Sequence, residues 1–187
     1  MTLVVVGGGA AVAVAAALLV VPRLLSPGNG PAGASTPGAS LPGAVGVFGV
    51  ATTTEHCPAA SVTAADAACV TTPECWHGVN EVSGVITATS WPCTKRHTWQ
   101  TFAIAIMPSE SGTVDVNIVQ ANPTVKALCS IRVLLASRTG AALQVPKSAW
   151  RIQVMPPDKA DFNAGVRTVR CLAGHGLDEL TAAQFGP

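Results

Sequence analysis

The sequence of 187 residues has few charged side chains and no tyrosine. Asp, Glu, Lys and Arg make up 11% of it, whereas they form about a quarter of an average soluble protein. Eleven basic and ten acidic residues leave a net charge of +1. Nucleic-acid-binding domains carry a concentrated basic surface, so this balance predicts no nucleic-acid partner. Hydrophobic residues reach 49% of the chain, which argues against disorder throughout.

The sequence also lacks the short motifs that mark common catalytic sites. It contains no G-x-S-x-G nucleophile elbow, no H-E-x-x-H zinc motif and no G-x-x-x-x-G-K phosphate loop. No nucleophile motif therefore accompanies any of its four histidines, which are His56, His77, His97 and His175. We predict a protein that is not an enzyme, with no catalytic residues, no cofactor and histidines in structural or surface roles.

An apolar run of about 19 residues, built of Val, Ala, Leu and Gly, occupies positions 3–21. A helix rises about 1.5 Å per residue, so a run of this length crosses a hydrocarbon core about 30 Å thick. A secretory signal has a shorter apolar core, of about 7 to 15 residues, with positive charge before it. Here the first basic residue, Arg23, follows the run. We therefore predict a transmembrane helix within residues 1–25, with a cleaved signal peptide as the alternative.

Residues 26–46 consist almost entirely of Pro, Gly, Ala and Ser and carry no charge. Such a composition cannot bury enough apolar surface to fold, so we predict a flexible linker. It joins the membrane helix to a domain over residues 47–187, which is long enough for one hydrophobic core.

All six cysteines fall in that domain: Cys57, Cys69, Cys75, Cys93, Cys129 and Cys171. An even number of cysteines in a chain with an export or anchor segment predicts three disulfides in an oxidising compartment. We therefore expect a single-pass protein of the cell membrane whose domain is extracytoplasmic, although Arg23 alone favours the opposite orientation. Six cysteines allow fifteen connectivities. We expect Cys129 to pair with Cys171, which closes a loop worth about 4 kcal/mol in chain entropy, and the other four to pair among themselves.

Periodicity and turn residues predict an α+β domain without a βαβ rhythm. Asn122 can cap a helix and Pro123 suits its first position, so a helix is expected over residues 122–135. The expected strands cover residues 79–89, 98–107, 113–119, 150–155 and 166–172. Strands 98–107 and 113–119 are expected to form a hairpin, and residues 156–163 are expected to form a short helical turn.

Two groups of side chains are candidates for binding. Thiolate and imidazole ligands suit zinc or copper, and they occur at Cys69, Cys75, His77, Cys93 and His97. Their spacing is not that of paired C-x2-C motifs, so disulfides are favoured and no metal site is predicted. A surface of Trp76, Trp91, Lys95 and Arg96 is a candidate for stacking sugars or meeting an anionic envelope polymer. The simpler alternatives to a binding surface are that the tryptophans pack in the core and that residues 95–96 lie in a solvated loop.

Residues 157–171, with the sequence PDKADFNAGVRTVRC, resemble the end of the septum formation domain of actinobacterial envelope proteins. That family has a P…W…G-x-R…C arrangement, and its places are taken here by Phe162, Gly165, Arg167 and Cys171. Upstream, Cys75, His77, Glu81 and Val82 resemble the family's Cys, His and Glu-Val segment. Cys129 resembles its central Cys. The resemblance covers about residues 47–174 and implies an envelope domain associated with division, without catalytic residues. The resemblance also implies that Arg167 forms an internal ion pair.

We therefore predict a membrane-anchored, extracytoplasmic interaction module of the cell envelope, associated with the septum, whose partners are the membrane and other envelope or membrane proteins. An accessory subunit of a larger actinobacterial membrane complex, such as a respiratory one, is the alternative. Small residues at 7–17 support that alternative because they let membrane helices approach closely. An exported metal-binding protein or enzyme is a second alternative.

Overall fold

The computed structural model describes residues 48–107, 112–176 and 179–187, which contain two antiparallel sheets. The smaller sheet pairs β1 (Thr52–Thr53) with β2 (Cys69–Val70). The larger sheet has five strands in the order β4-β3-β5-β7-β6. Its strands are β3 (Cys75–Val82), β4 (Val85–Trp91), β5 (Trp99–Ile106), β6 (Trp150–Met155) and β7 (Thr168–His175).

In the described part of the chain, four short α-helices accompany these strands, which confirms the α+β class. They are α1 (Val116–Ala121), α2 (Pro123–Leu128), α3 (Ile131–Ala136) and α4 (Lys159–Asn163). Each begins at a side chain that accepts a hydrogen bond from a backbone N–H in the first turn, and these caps are Asp115, Asn122, Ser130 and Asp158. Single turns of 3-10 helix lie at Pro58–Ser61, Thr63–Ala65, Gly140–Gln144 and Lys147–Ala149.

The main core lies between one face of the larger sheet and the helices α1 to α3. Helix residues such as Val119, Leu128 and Leu134 pack in one cluster with Val169 and Cys171 of β7. Successive residues of a strand point to opposite faces. A second, smaller cluster of Phe48, Ala68, Val70 and Ile104 accordingly lies on the other side of β5.

Three disulfides connect these layers, as the cysteine content predicts. Cys57 is bonded to Cys69, Cys75 to Cys93 and Cys129 to Cys171, with Cα atoms 5.1–5.5 Å apart. The expected pairing of Cys129 with Cys171 is confirmed, and so is the pairing of the other four among themselves. The bond between Cys75 and Cys93 ties the first residue of β3 to the segment that follows β4.

The prediction of one strand over residues 79–89 is wrong, because a turn divides it. Ser83 and Gly84 both have positive φ, at 52° and 79°, and Val82 pairs with Val85 across them. A two-residue turn with positive φ at both positions has the twist that a tight hairpin needs. The segment is therefore the hairpin of β3 and β4.

The prediction of a strand over residues 113–119 is also wrong, because α1 begins inside it. The Asp115 carboxylate accepts a hydrogen bond from Asn117 N at 2.9 Å, and the buried Val116 and Val119 are spaced as on a helix. The helix expected over residues 122–135 is divided after Cys129 into α2 and α3, since Ser130 caps a new helix. The remaining elements are confirmed as β5, β6, α4 and β7. The ends of β6 are as expected, and those of the other three are shifted.

The expected transmembrane helix over residues 1–25 and the linker over residues 26–46 lie outside the described residues. Within residues 48–107, 112–176 and 179–187, no helix has both the length and the apolar composition to cross a bilayer.

Candidate functional site

Two of the predicted surface residues, Trp91 and Lys95, lie together in an exposed patch. The ammonium nitrogen of Lys95 is 5.9 Å from the centroid of the Trp91 ring, which is within range of a cation–π contact. The His77 ring lies on the other strand of the hairpin, 5.6 Å from the Trp91 ring between centroids. Trp91 is 38% exposed. The base of the hairpin therefore presents an indole face with a cation beside it.

The other two predicted residues lie elsewhere. Trp76 directly precedes His77 on β3, so the two side chains point to opposite faces of the hairpin. Its indole N–H donates to the Thr101 hydroxyl at 2.9 Å. Arg96 forms an ion pair with Glu179, with Nε 2.7 Å from Oε2. The structure thus brings Trp91 and Lys95 together but separates Trp76 and Arg96 from them.

His77 also lines a groove of about 340 Å³, which we call the hairpin-base groove. Its lining consists of His77, Gly78, Val79, Thr98, Trp99, Arg151, Gly174 and Gly176. Arg151 is exposed, and Trp99 is partly buried. No carboxylate occurs among the described residues that line the groove. Because His77 also contacts Trp91, the groove adjoins the Trp91–Lys95 patch at this residue.

Two glycines determine the shape of this groove. A Cβ atom on Gly174 would lie 2.9 Å from the Trp99 ring, so the indole rests directly on the backbone of β7. Gly78 has a φ of +61° and lies where the register between β3 and β4 shifts, between His77 and Asn80. Such a bulge changes the direction of neighbouring side chains. It thereby orients His77 at the rim of the groove.

A second polar group lies on the opposite side of the hairpin. Arg170 donates to Glu74 from Nε at 2.8 Å and from Nη2 at 3.1 Å. The Thr101 hydroxyl donates to the same carboxylate at 3.0 Å, and the Arg170 guanidinium lies 5.7 Å from the Trp76 ring. The charged and polar groups of this cluster are hydrogen-bonded to one another. We therefore interpret the cluster as structural, since it joins the chain before β3 to β5 and β7.

The resemblance implies an internal ion pair for Arg167. Among the described residues, the buried ion pair is formed instead by Arg170, with Glu74. The Arg167 guanidinium lies 3.9 Å from the Phe162 ring centroid. It donates to the carbonyl oxygens of Phe162 at 2.7 Å and Val166 at 2.9 Å. Arg167 thus closes the turn after α4.

The cysteines considered as metal ligands, Cys69, Cys75 and Cys93, are all in disulfides and have no thiolate to offer. In the part of the chain that the structure describes, no three His, Cys, Asp or Glu side chains are grouped as a metal site requires.

A cavity of about 800 Å³ lies beside Phe48. Its charged lining residues are Asp66 and Arg167, and the guanidinium of Arg167 is already engaged with backbone carbonyls. The Thr168 hydroxyl, which also lines the cavity, donates to the Phe48 carbonyl oxygen at 3.0 Å, and the other lining residues are apolar or glycine.

Sequence reasoning did not identify Trp99 and Arg151 as site residues. Trp99 lies on β5 and Arg151 on β6, and the two strands are brought together only by their pairing with β7. The glycines at 174 and 176 are the sequence signal that a side chain approaches the strand closely, but they do not say which one. Comparisons with models of known protein families, with characterised proteins and with solved structures find no match to this chain, so the resemblance to the septum formation domain stays a prediction.

Proposed function

We propose that this chain is a non-catalytic interaction module of the cell envelope, held at the membrane by its apolar run and exposed on the extracytoplasmic side. The observation that supports this most directly is the pairing of all six cysteines in three disulfides. Such bonds persist in oxidising compartments and are rare where thiols are kept reduced. The apolar run at 3–21 supplies the export or anchor segment that this compartment requires.

The hairpin-base groove is the binding surface in this proposal. Its polar groups are suited to holding a ligand rather than to reacting with one. The Thr98 hydroxyl donates to the Trp76 carbonyl oxygen at 3.4 Å, and the His77 ring is in contact with Trp91. A nucleophile needs a base within hydrogen-bond reach, and no described contact of these two residues provides that arrangement.

The resemblance of residues 157–171 to the septum formation domain extends the proposal to the division septum. The residues that carry the resemblance form one local unit in this chain. Arg167 stacks on Phe162, Gly165 has the positive φ of +96° that ends α4, and Cys171 is bonded to Cys129. These roles explain why such residue types occur together, and they support a shared local structure rather than a shared ligand.

An accessory subunit of a membrane complex is a second candidate, and one feature favours it. Val82 and Val85, at the tip of the hairpin, are 69% and 49% exposed, and Ile118 on α1 is 58% exposed. The Gly84 carbonyl accepts a hydrogen bond from Val116 N at 2.9 Å, which attaches the tip to α1. Branched apolar side chains exposed so close together are typical of a surface that another subunit covers.

Thiol counting tests the proposed compartment. Cells are lysed directly into denaturant with an alkylating reagent, and the full-length protein is weighed before and after reduction. We expect no alkylated cysteine before reduction and six after it. Six alkylated cysteines before reduction would contradict the extracytoplasmic location. Native mass spectrometry of the detergent-extracted protein then separates the candidates, because a stoichiometric complex with other membrane proteins favours the accessory subunit.

A further inference from the structure

We propose that the hairpin-base groove, together with Trp91 and Lys95, binds an acidic oligosaccharide. The inference rests on the proposed function and names the class of ligand for its binding surface. One ring stacks on the Trp91 indole beside Lys95, and a neighbouring ring lies in the groove with its anionic group at Arg151. Carboxylate and phosphate groups share this chemistry, so both kinds of acidic saccharide are candidates.

Trp91 supplies the stacking surface. Its ring is 38% exposed although it belongs to a strand, and His77 and Lys95 flank it at 5.6 Å and 5.9 Å. The face of an indole carries partial negative charge. The axial C–H groups of a sugar carry partial positive charge and form a flat apolar face, so they complement the exposed indole without needing a deep pocket.

Arg151 and Lys95 supply the charge. Elsewhere on the hairpin and its surroundings the cations are already paired: Arg96 with Glu179 and Arg170 with Glu74. Within the described residues, neither Arg151 nor Lys95 has an ion-pair partner. A guanidinium binds carboxylate or phosphate through two parallel hydrogen bonds. The groove therefore offers an unneutralised cation at Arg151, and the adjoining patch offers another at Lys95.

The size and floor of the groove fit one sugar unit of a longer polymer. Its volume of about 340 Å³ lies at the lower end of the range of about 300–1,000 Å³ for small-molecule sites. Gly78 and Gly176 expose backbone in its lining, and backbone without side chains lets a ligand approach closely. The Thr98 hydroxyl and the His77 imidazole are the polar groups that can meet sugar hydroxyls.

Simpler ligands leave part of this surface unused. A neutral sugar would leave Arg151 and Lys95 without a counter-charge, and a small inorganic anion would leave the Trp91 face exposed. The net charge of +1 is too small for a polyanion-binding surface that works by charge alone. An acidic saccharide engages the aromatic and the cationic groups together.

Binding is measured on the full-length protein in detergent, by tryptophan fluorescence and by titration calorimetry. The probes are tetragalacturonate, its fully methyl-esterified neutral form, maltotetraose phosphorylated at O6, and inorganic phosphate. We expect saturable binding of tetragalacturonate or of the phosphorylated maltotetraose, and the tighter of the two identifies the anionic group. The neutral ester and inorganic phosphate should each bind about tenfold more weakly or worse. Equal affinity for the ester and the acid would overturn the proposal.

Matched variants test the residues. Lys95→Gln and Arg151→Gln should each weaken binding of the acidic saccharide by about tenfold, with unchanged melting temperature. Trp91→Ala should weaken binding by as much and also lower the melting temperature, because the indole is partly buried. Trp91→Phe should keep most of the affinity. Arg132→Gln removes the same charge from an exposed position on α3, and should bind as the parent does. If Arg132→Gln weakens binding as much as Arg151→Gln, the effect is one of net charge and the site is overturned.

These results are independent of the compartment assay. Absence of binding to either acidic probe, by protein whose three disulfides are intact, overturns the ligand while the extracytoplasmic module stands. Binding that depends on Arg151 and Trp91 supports the ligand even if the thiol count contradicts the compartment.

Discussion

Arg170 on β7 binds Glu74, in the segment between β2 and β3, through two hydrogen bonds of 2.8 Å and 3.1 Å. Both side chains are only 17% exposed, and they are separated by 96 positions in the chain. Trp76 lies over the guanidinium and hydrogen-bonds Thr101, which in turn donates to Glu74. The pair therefore fixes the start of the hairpin on the main sheet, on the side opposite to the hairpin-base groove.

We expect Glu74→Ala to lower the free energy of unfolding by about 3 kcal/mol. The substitution leaves the Arg170 guanidinium largely buried without its carboxylate, and losing one partner of a buried pair costs about 3–5 kcal/mol. The remaining exposure of the pair favours the lower end of that range. Urea denaturation of the full-length protein in detergent, followed by tryptophan fluorescence, measures the change.

Two further variants make the test specific. Arg96→Ala breaks the exposed ion pair with Glu179, and should cost under about 1 kcal/mol. Replacing both Glu74 and Arg170 by leucine should recover part of the loss, because no charge is then left unpaired. A Glu74→Ala variant no less stable than Arg96→Ala would show that the buried pair does not hold the hairpin in place.

Removal of the disulfide between Cys129 and Cys171 should cost about 4 kcal/mol in the double alanine variant. The bond spans 42 positions, and a longer closed loop restricts the unfolded chain more. The same replacement at Cys57 and Cys69, which are 12 positions apart, should cost about 3 kcal/mol. Urea denaturation of both variants checks the order, and a larger loss at Cys57 and Cys69 would contradict the loop-length argument.

Gly84→Ala should destabilise the protein by about 2–3 kcal/mol, for two physical reasons. The residue has a φ of +79°, where a Cβ atom costs about 1–2 kcal/mol. The added Cβ would also lie 2.6 Å from the Asp115 carboxylate. Displacing that side chain removes the cap of α1, which costs about 1 kcal/mol.

Gly49→Ala is the matched control for this substitution. Gly49 has a nearly equal φ of +75°, but nothing lies within 4 Å of the position of its Cβ atom. It should show the backbone cost alone, of about 1–2 kcal/mol. Equal losses of unfolding free energy in the two variants would mean that the contact between the hairpin tip and α1 contributes nothing.

The hairpin tip also shows what the sequence can and cannot predict. Alternating β-branched residues at 79–89 correctly indicate extended structure, but the Ser83–Gly84 dipeptide within them is a turn signal that outweighs the alternation. Asp115 and Ser130 are likewise capping residues whose local hydrogen bonds decide where α1 and α3 begin. These three corrections depend on neighbours in the chain, so a closer reading of turn and cap residues would have found them.

The binding surface is different, because it depends on contacts between distant segments. Trp91 and Lys95 are near in sequence and are predicted together, whereas Arg151 reaches the groove only through the pairing of β6 with β7. The pairing of Cys129 with Cys171 was predictable because loop closure gives it a preference, and no comparable rule links Trp99 to Gly174. Long-range strand order therefore limits prediction of the site more than residue type does.

The packing of Trp99 on Gly174 provides the last prediction, which connects stability to the groove. Gly174→Ala adds a Cβ atom 2.9 Å from the Trp99 ring and 3.0 Å from the Thr98 carbonyl oxygen. Because one of these neighbours is backbone, the strand itself must shift, and overpacking of this kind costs about 1–3 kcal/mol. We expect a lower urea midpoint and a changed Trp99 fluorescence emission in the full-length protein.

Gly112→Ala is the control, since nothing lies within 4 Å of its Cβ position, and it should leave both measurements unchanged. A Gly174→Ala protein with the stability and emission of the Gly112→Ala protein would contradict the close contact between Trp99 and β7, and with it the shape of the hairpin-base groove.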